Sequence, residues 1–167
     1  VKIIPSQRKI VGYCRNNHGG VPKNFHNYFV AVFDKPFSVV HTWKEGKLQT
    51  GSRAATGKHV GAIVRFHTKR KEQIHVKVAS SFISLVQAER NLAFEIGDKS
   101  FERVKAESRR AWNRELGRIH IEGASVDQLR TFYSCLYRVL LFPRRFYEID
   151  AKGQIVKKVN MSNDETT

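Results

Sequence analysis

The sequence predicts an α+β fold in which a β-rich, antiparallel module comes first and α-helices follow it. Apolar residues alternate with the period of β-strands over residues 8–79, which places successive side chains on opposite faces of a sheet. From Ser84 onward the apolar residues recur at helical spacing. The last predicted helix is apolar around most of its circumference, so we expect it to be buried on nearly all sides.

Length and composition limit the possible classes of protein. A chain of 167 residues with 41% hydrophobic content can form one ordinary domain or the adjoining parts of two. No run approaches the roughly eighteen apolar residues of a membrane span, so we expect no membrane partner. The two cysteines, Cys14 and Cys135, have no metal-binding spacing and are predicted to be small buried hydrophobes. The chain begins with Val1, and its residues do not indicate a compartment.

The net charge of +15 requires either a polyanionic partner or a surface that tolerates it. The basic residues form short clusters at positions 69–71, 109–110, 144–145 and 157–158. No recognised nucleic-acid motif joins these clusters, and glutamates share the second helix with one of them. This pattern favours a solvated surface and makes nucleic acid an unlikely partner. The alternative is a small basic module that binds nucleic acid or an anionic polysaccharide.

The first half of the chain reads as strands separated by loops. Strands are predicted at residues 8–15, 26–33 and 37–43, because these runs are rich in β-branched and aromatic residues. The segment 16–23 is dense in turn-forming residues and reads as a loop. Residues 44–57 are polar, contain three glycines and are predicted to be a long connection.

Residues 58–67 and 72–79 are predicted to pair as a hairpin around a turn at 69–71. The register that matches their alternation places Phe66 opposite Ile74, Val64 opposite Val76 and Ala62 opposite Val78. His67 and His75 then point away from the apolar face, with His75 opposite Arg65. A neighbouring cation disfavours a metal there, so these histidines and His120 are interpreted as surface residues.

Three helices follow, and two of them begin with a capping box. Ser84 and Gln87 predict the first helix, which Gly97 ends. Asp98 or Ser100 caps the second helix, which ends at Gly117. Ser125 starts the third, with Gln128 three residues later. Between the second and third helices, residues 118–122 are predicted to be a short alternating strand. Pro143 is predicted to terminate the third helix.

The residues alone point to no catalytic, cofactor-binding or metal-binding site. Glu148 and Asp150 lie two positions apart, so on an extended segment they project to one side, as a pair for acid–base hydrolysis would. Neighbouring carboxylates are common on ordinary surfaces, which makes this signal weak. Gly57 and Lys58 lack the spacing of a phosphate-binding loop.

Three stretches of the chain, read together, resemble one enzyme family. They are residues 28–37 (YFVAVFDKPF), residues 76–92 (VKVASSFISLVQAERNL) followed by 111–123 (AWNRELGRIHIEG), and residues 131–150 (TFYSCLYRVLLFPRRFYEID). Their order and spacing resemble glycoside hydrolase family 92, the calcium-dependent exo-α-mannosidases. The resemblance extends over roughly residues 8–156.

The resemblance implies a domain organisation. Residues 1–83 are expected to be the C-terminal part of an N-terminal β-sandwich domain, and residues 84–124 to be linker helices with a short strand. Residues 125–167 are expected to begin an (α/α)6 barrel that is truncated soon afterwards. The missing barrel would then be the partner that covers the apolar third helix.

The resemblance also implies a function for the longer protein. Members of this family remove terminal α-mannose from glycans with inversion, and calcium helps to bind the sugar. Their acid, base and calcium ligands come from barrel segments further downstream, so no site residue is transferred to this chain. We therefore expect a fragment that is inactive alone and binds no calcium. Family members are commonly secreted or periplasmic.

A third interpretation is a scaffold half that pairs with a separately encoded barrel. Co-purification with a downstream gene product would distinguish this arrangement from the other two.

Overall fold

The computed structural model describes residues 1–15, 25–141 and 147–157. Its strands are β1 (Lys2–Ile4), β2 (Lys9–Cys14), β3 (Asn27–Phe33), β4 (Val39–Lys44), β5 (Lys47–Thr50), β6 (Val60–Arg65), β7 (Val76–Ser81), β8 (Tyr147–Ile149) and β9 (Ile155–Lys157). Its helices are α1 (Leu85–Asn91), which a π-helical turn over Leu92–Ile96 continues, α2 (Phe101–Leu116) and α3 (Val126–Leu141). Antiparallel sheets followed by three helices confirm the predicted α+β class.

The chain divides into two compact units. The first comprises Val1–Gly97 together with Tyr147–Thr167, and the second comprises Asp98–Phe146. The first unit therefore holds all the described strands and α1, whereas α2 and α3 make up the helices of the second.

The larger sheet of the first unit, sheet 1, has the strand order β1-β2-β3-β7, and every pair in it is antiparallel. Helix α1 packs on one face of this sheet around a small core. Val30 and Ala88 are fully buried and Val11 nearly so. Partly buried side chains surround them, namely Ile4, Val32, Ala79, Leu85 and Leu92. Burying one Val or Leu side chain contributes about 1.5–3 kcal/mol, so this contact is the main apolar attachment of α1.

Sheet 2 has the order β5-β4-β6 and corrects one prediction. The segment 44–57, predicted to be a connection without strands, contains β5. Glu45 and Gly46 both adopt positive φ, at 48° and 76°, which is the backbone of a type I′ hairpin turn. Sequence reasoning missed the hairpin because glutamate is uncommon at the first of these positions.

The predicted pairing of residues 58–67 with 72–79 is wrong. Strand β6 pairs with β4, with Val64 opposite Val40, whereas β7 pairs with β3, with Val78 opposite Ala31. The two strands that are adjacent in sequence therefore belong to different sheets. Alternation predicts which residues share a face, but it does not identify the partner strand.

The face of β7 that is covered is also opposite to the predicted one. Val76 and Val78 are 48% and 54% exposed, while the intervening Lys77 and the following Ala79 turn toward α1. Lys77 Nζ donates to the carbonyl oxygen of Gly97 at 2.6 Å, where the π-helical turn ends. The position of α1, rather than the hydrophobicity of β7, therefore determines which side of this strand is inside.

The loop between β6 and β7 is held by side chains beside β3. Asp34 Oδ2 accepts hydrogen bonds from the backbone N–H of His75 and from its ring nitrogen Nδ1, both at 3.0 Å. Lys35 forms an ion pair with Glu72, whose other oxygen accepts from the Lys69 N–H at 2.7 Å. The predicted turn at 69–71 is present, but it connects two sheets. The neighbour of His75 is therefore Asp34, and not Arg65 as the predicted register required.

The two capping boxes differ in completeness. The Ser125 box is reciprocal, because Ser125 Oγ accepts from the Gln128 N–H at 3.3 Å and Gln128 Oε1 accepts from the Ser125 N–H at 2.8 Å. At α1 only the serine half forms, with Ser84 Oγ accepting from the Gln87 N–H at 3.1 Å. The side chain of Gln87 is used elsewhere. The cap of α2 is Ser100, one of the two predicted candidates.

Two further expectations for the helical part need correction. Residues 118–122 form no strand among the described residues, and the Ile119 carbonyl accepts a hydrogen bond from the Tyr133 hydroxyl at 2.9 Å. Cys14 and Cys135 are exposed rather than buried. Within the second unit, α2 and α3 meet through the rings of Trp112 and Tyr137, whose centroids lie 4.5 Å apart. The predicted stop at Pro143 lies outside the described residues.

The contact of Trp43 with Gly61 generates one prediction. A Cβ added at Gly61 would lie 2.2 Å from Trp43 Nε1, closer than any real contact. We expect Gly61→Ala to lower the free energy of unfolding by about 1–3 kcal/mol, the usual cost of overpacking, as measured by urea denaturation. Gly57→Ala is the matched control, because its Cβ meets the flexible end of Lys44 at 3.0 Å and Val60 Cγ1 at an ordinary 3.4 Å. Equal stabilities of the two variants would contradict the prediction.

The Asp34 contacts generate a second prediction. Desolvation opposes the shift, but the hydrogen bonds from His75 outweigh it and hold the pKa of Asp34 below its ordinary value of 3.8. A carboxyl with a lowered folded-state pKa stabilises the fold above its ordinary pKa, and this contribution disappears as the pH falls through the folded value. We therefore expect wild type to melt above Asp34→Asn at pH 6, with the difference shrinking below about pH 4.

Thermal melts across that pH range test the Asp34 prediction. Asp98→Asn, at an exposed position, provides the control for loss of one acidic side chain. A difference between wild type and Asp34→Asn that stays constant down to pH 2 would rule out this role for the carboxylate.

Candidate functional site

Glu148 and Asp150, the carboxylates singled out from the sequence, are not brought together as an acid–base pair. Asp150 Oδ1 accepts from the backbone N–H groups of Lys152 and Gln154, at 2.8 and 2.9 Å, and so closes the turn between β8 and β9. Glu148 points to other elements of the first unit. The two carboxylates accept from different sets of donors and share no hydrogen-bond partner among the described contacts.

Glu148 lies in a polar cluster at the junction of β7 and α1. Its Oε1 accepts from the Ser81 hydroxyl and the Phe82 N–H, both at 2.9 Å. Its Oε2 accepts from Asn91 Nδ2 at 2.8 Å. The residues that position these donors are the last residue of β7, the residue after it, and the last residue of α1. We call Ser81, Phe82, Gln87, Asn91 and Glu148 the Glu148 site.

Gln87 completes this site and explains why its capping box is incomplete. The side chain is 4% exposed, and its Nε2 donates to the Ile149 carbonyl at 2.6 Å and to Asn91 Oδ1 at 3.0 Å. A side chain that reaches β8 is not available to the N-terminus of α1. Sequence reasoning missed Gln87 and Asn91 as site residues, because a capping-box signal explained the first and nothing distinguished the second.

The hydrogen-bond directions place donors toward both side-chain oxygens of Glu148. Ser81 Oγ accepts from the N–H groups of Ile83 and Ser84, so its own proton is directed to Glu148. The orientation of the Asn91 amide is set by Gln87, which donates to its oxygen, and by the Ser80 carbonyl, which accepts from its nitrogen at 3.0 Å. Both oxygens of Glu148 therefore face donors, as an acceptor-only side chain requires.

The described residues do not fit the calcium ion that the family resemblance implies. Calcium takes six to eight oxygen ligands, several of them from carboxylates. In the described ranges no three or more His, Cys, Asp or Glu side chains are grouped so that they could hold a metal. The Glu148 carboxylate is surrounded by hydrogen-bond donors, which repel a cation. His67, His75 and His120 are exposed, as predicted.

The basic clusters are distributed over separate elements. The 69–71 cluster lies in the loop between the sheets, and Arg109 and Arg110 are exposed on α2. The glutamates of α2 are paired with nearby cations, at Lys99–Glu107, Arg103–Glu107, Lys105–Glu102, Arg114–Glu115 and Arg118–Glu115. Hydrogen bonds from Lys99 and Arg103 hold the pKa of Glu107 below its ordinary value. Residues 144–145 and 158 lie outside the described residues.

Helix α3 presents the main apolar surface of the second unit. Val126, Val139 and Leu141 are 61%, 67% and 47% exposed. A shallow groove along the helix is lined by Val126, Leu129, Arg130, Tyr133, Ser134, Tyr137 and Arg138. So many exposed apolar side chains on one helix are typical of a surface that another element covers. No described helix is long and apolar enough to cross a membrane.

Comparison with known protein families gives two adjoining matches. Residues 1–81 match the glycosyl hydrolase family 92 N-terminal domain, and residues 87–166 match the glycosyl hydrolase family 92 catalytic domain. The two matches follow one another across the chain, and both belong to the same family. They do not support a small basic binding module.

Solved structures agree with this family. The inverting mannosidase BT2199 of Bacteroides thetaiotaomicron VPI-5482 is 40% identical, with a TM-score of 0.89 over 93% of this chain and 21% of its own. The family 92 glycosyl hydrolase ccman5 is 25% identical, with a TM-score of 0.69 over 90% of this chain and 20% of its own. This chain therefore spans about a fifth of the length of these relatives.

A curated relative is similar to part of this chain. An uncharacterized secreted glycosidase of Arthroderma benhamiae is 32% identical over 78 residues, which is 44% of this chain and 10% of that protein. Consecutive matches to both family domains, together with the BT2199 similarity over nearly the whole chain, lead to one conclusion: this chain belongs to glycosyl hydrolase family 92.

Proposed function

We propose that this chain forms part of an inverting α-mannosidase that removes terminal mannose from glycans. The observation that supports it most strongly is the 40% identity to the inverting mannosidase BT2199 over 93% of this chain. In this proposal residues 1–83 close the β-sandwich domain, 84–124 form the linker and 125–167 begin the helical barrel.

The role of the chain in this proposal is structural, and the reacting groups belong to barrel segments outside it. The described carboxylates support this division. Glu148 and Asp150 are engaged by hydrogen bonds, and the glutamates of α2 are in ion pairs. The calcium that assists sugar binding in this family would likewise be held by other segments.

The exposed face of α3 is where the remaining barrel helices would pack. Exposed Val126, Val139 and Leu141 supply an apolar surface of the kind that helix packing buries. This packing would explain why α3 has apolar side chains that its own unit leaves exposed. We also propose that the full protein is exported, in line with the secreted glycosidase that the chain resembles over part of its length.

A segment exchange tests the proposed function. Replacing the matched stretch of BT2199 with this chain should give an enzyme that hydrolyses an aryl α-mannoside and loses activity when calcium is chelated. The chain alone, assayed with calcium and the same substrate, should give no turnover above the blank. A folded chimera without activity would contradict the proposal, and turnover by the chain alone would overturn the assignment of the reacting groups to other segments.

The exposed surface of α3 gives a further prediction. At micromolar concentration the isolated chain should self-associate, because each large apolar side chain left exposed forfeits roughly 1.5–3 kcal/mol. Val139→Lys should weaken that association at least about tenfold in sedimentation velocity. Thr131→Lys, at an exposed polar position of the same helix, adds the same charge and should have little effect. A wild-type chain that stays monomeric would contradict the prediction.

A further inference from the structure

The hairpin of β8 and β9 is short and forms a separate two-stranded sheet. It consists of two strands of three residues each, and a two-stranded hairpin is marginally stable in water. Ile149 and Ile155 are 36% and 59% exposed, and Tyr147 and Val156 are half-buried, so no apolar side chain of the described hairpin is fully enclosed. Neither strand pairs with a strand of sheet 1 or sheet 2 in the described part of the chain.

Long-range hydrogen bonds attach this hairpin to the rest of the first unit. Glu148 receives one bond each from Ser81, Phe82 and Asn91, and Gln87 donates to the carbonyl of Ile149. These bonds join residues at least 57 positions apart. Their two ends lie before and after the second unit in the sequence. Hydrogen bonds to a charged acceptor are stronger than neutral ones.

We propose that the junction of β7 and α1 is a carboxylate receptor for Glu148, and that this contact clasps the returning chain to the first unit. The receptor consists of the Ser81 hydroxyl, the Phe82 N–H and the Asn91 amide. None of these three described donors is a cation, so their selectivity comes from their fixed directions. Glu148 is thus a positioning residue for the chain that leaves α3. This inference stands on the contacts alone and does not depend on the proposed enzymatic activity.

The orientation of Asn91 makes the receptor testable by exchanging donor and acceptor. In Glu148→Gln, the oxygen that remains can face Ser81 and Phe82, but the new amide nitrogen then faces the amide nitrogen of Asn91. In Asn91→Asp, two carboxylates meet. In the double variant, the amide nitrogen introduced at position 148 can donate to the carboxylate introduced at position 91. The contact between these two positions is restored with its polarity reversed, whereas the bond to the Ser80 carbonyl stays lost.

Hydrogen exchange of the complete 167-residue chain measures the clasp. Each single variant should accelerate exchange of the backbone N–H groups in β8 and β9 at least about tenfold, with those of β2 and β3 unchanged. The double variant should recover at least half of the loss on a logarithmic scale, a non-additivity expected of side chains that touch or share one hydrogen-bond network. Glu122→Gln, at an exposed glutamate, should match wild type.

Three results would overturn the proposal. They are unchanged exchange in the single variants, equal acceleration throughout sheet 1, and losses in the double variant that simply add. If a single variant fails to fold, the wild-type Phe82 N–H gives an independent measurement. It lies beyond the end of β7, yet should exchange slowly because Glu148 accepts from it. Fast exchange at Phe82 in the folded wild type would exclude the clasp.

Discussion

The packing of α1 on sheet 1 is the contact on which the orientation of β7 and the Glu148 site depend. Its apolar centre is small, with Val30 and Ala88 fully buried and few other side chains fully enclosed. Polar contacts surround this core, including the ion pair of Lys9 with Glu89 at 2.8 Å and the hydrogen bond from Lys77 to the Gly97 carbonyl. Because α1 occupies this face, it decides the inward side of β7, and through Asn91 it supplies one of the three donors of the receptor for Glu148.

Much of the local structure was predictable because local chemistry determines it. The strands at 8–15 and 26–33, the caps at Ser84, Ser100 and Ser125, and the stops at Gly97 and Gly117 depend on residues close together in sequence. Strand pairing was not predictable, because alternation is equally compatible with any partner of suitable parity. The loop that contains Lys69 was therefore predicted to be a hairpin turn. In the structure it connects two different sheets, and Asp34 and Lys35 bind it in that position.

The candidate site was harder to foresee than the fold. Glu148 was noted, but as one of two carboxylates on a strand, and its partners lie 57 to 67 positions earlier in the chain. Asn91 carries no signal of its own, since a polar residue near a helix end is ordinary. The family was recognisable because it rests on long stretches such as 28–37 and 131–150. Such a resemblance identifies relatives without indicating which side chains meet.

The unequal caps of α1 and α3 have a consequence for synthesis on the ribosome. Every group that closes the start of α3 lies within four residues, so that helix can complete its first turn as soon as it emerges. The side chain of Gln87 instead donates to the carbonyl of Ile149, which is translated 62 residues later. Gln87 and Asn91 of α1 therefore reach their final hydrogen-bond partners only after the second unit has been translated, although α1 itself emerges early.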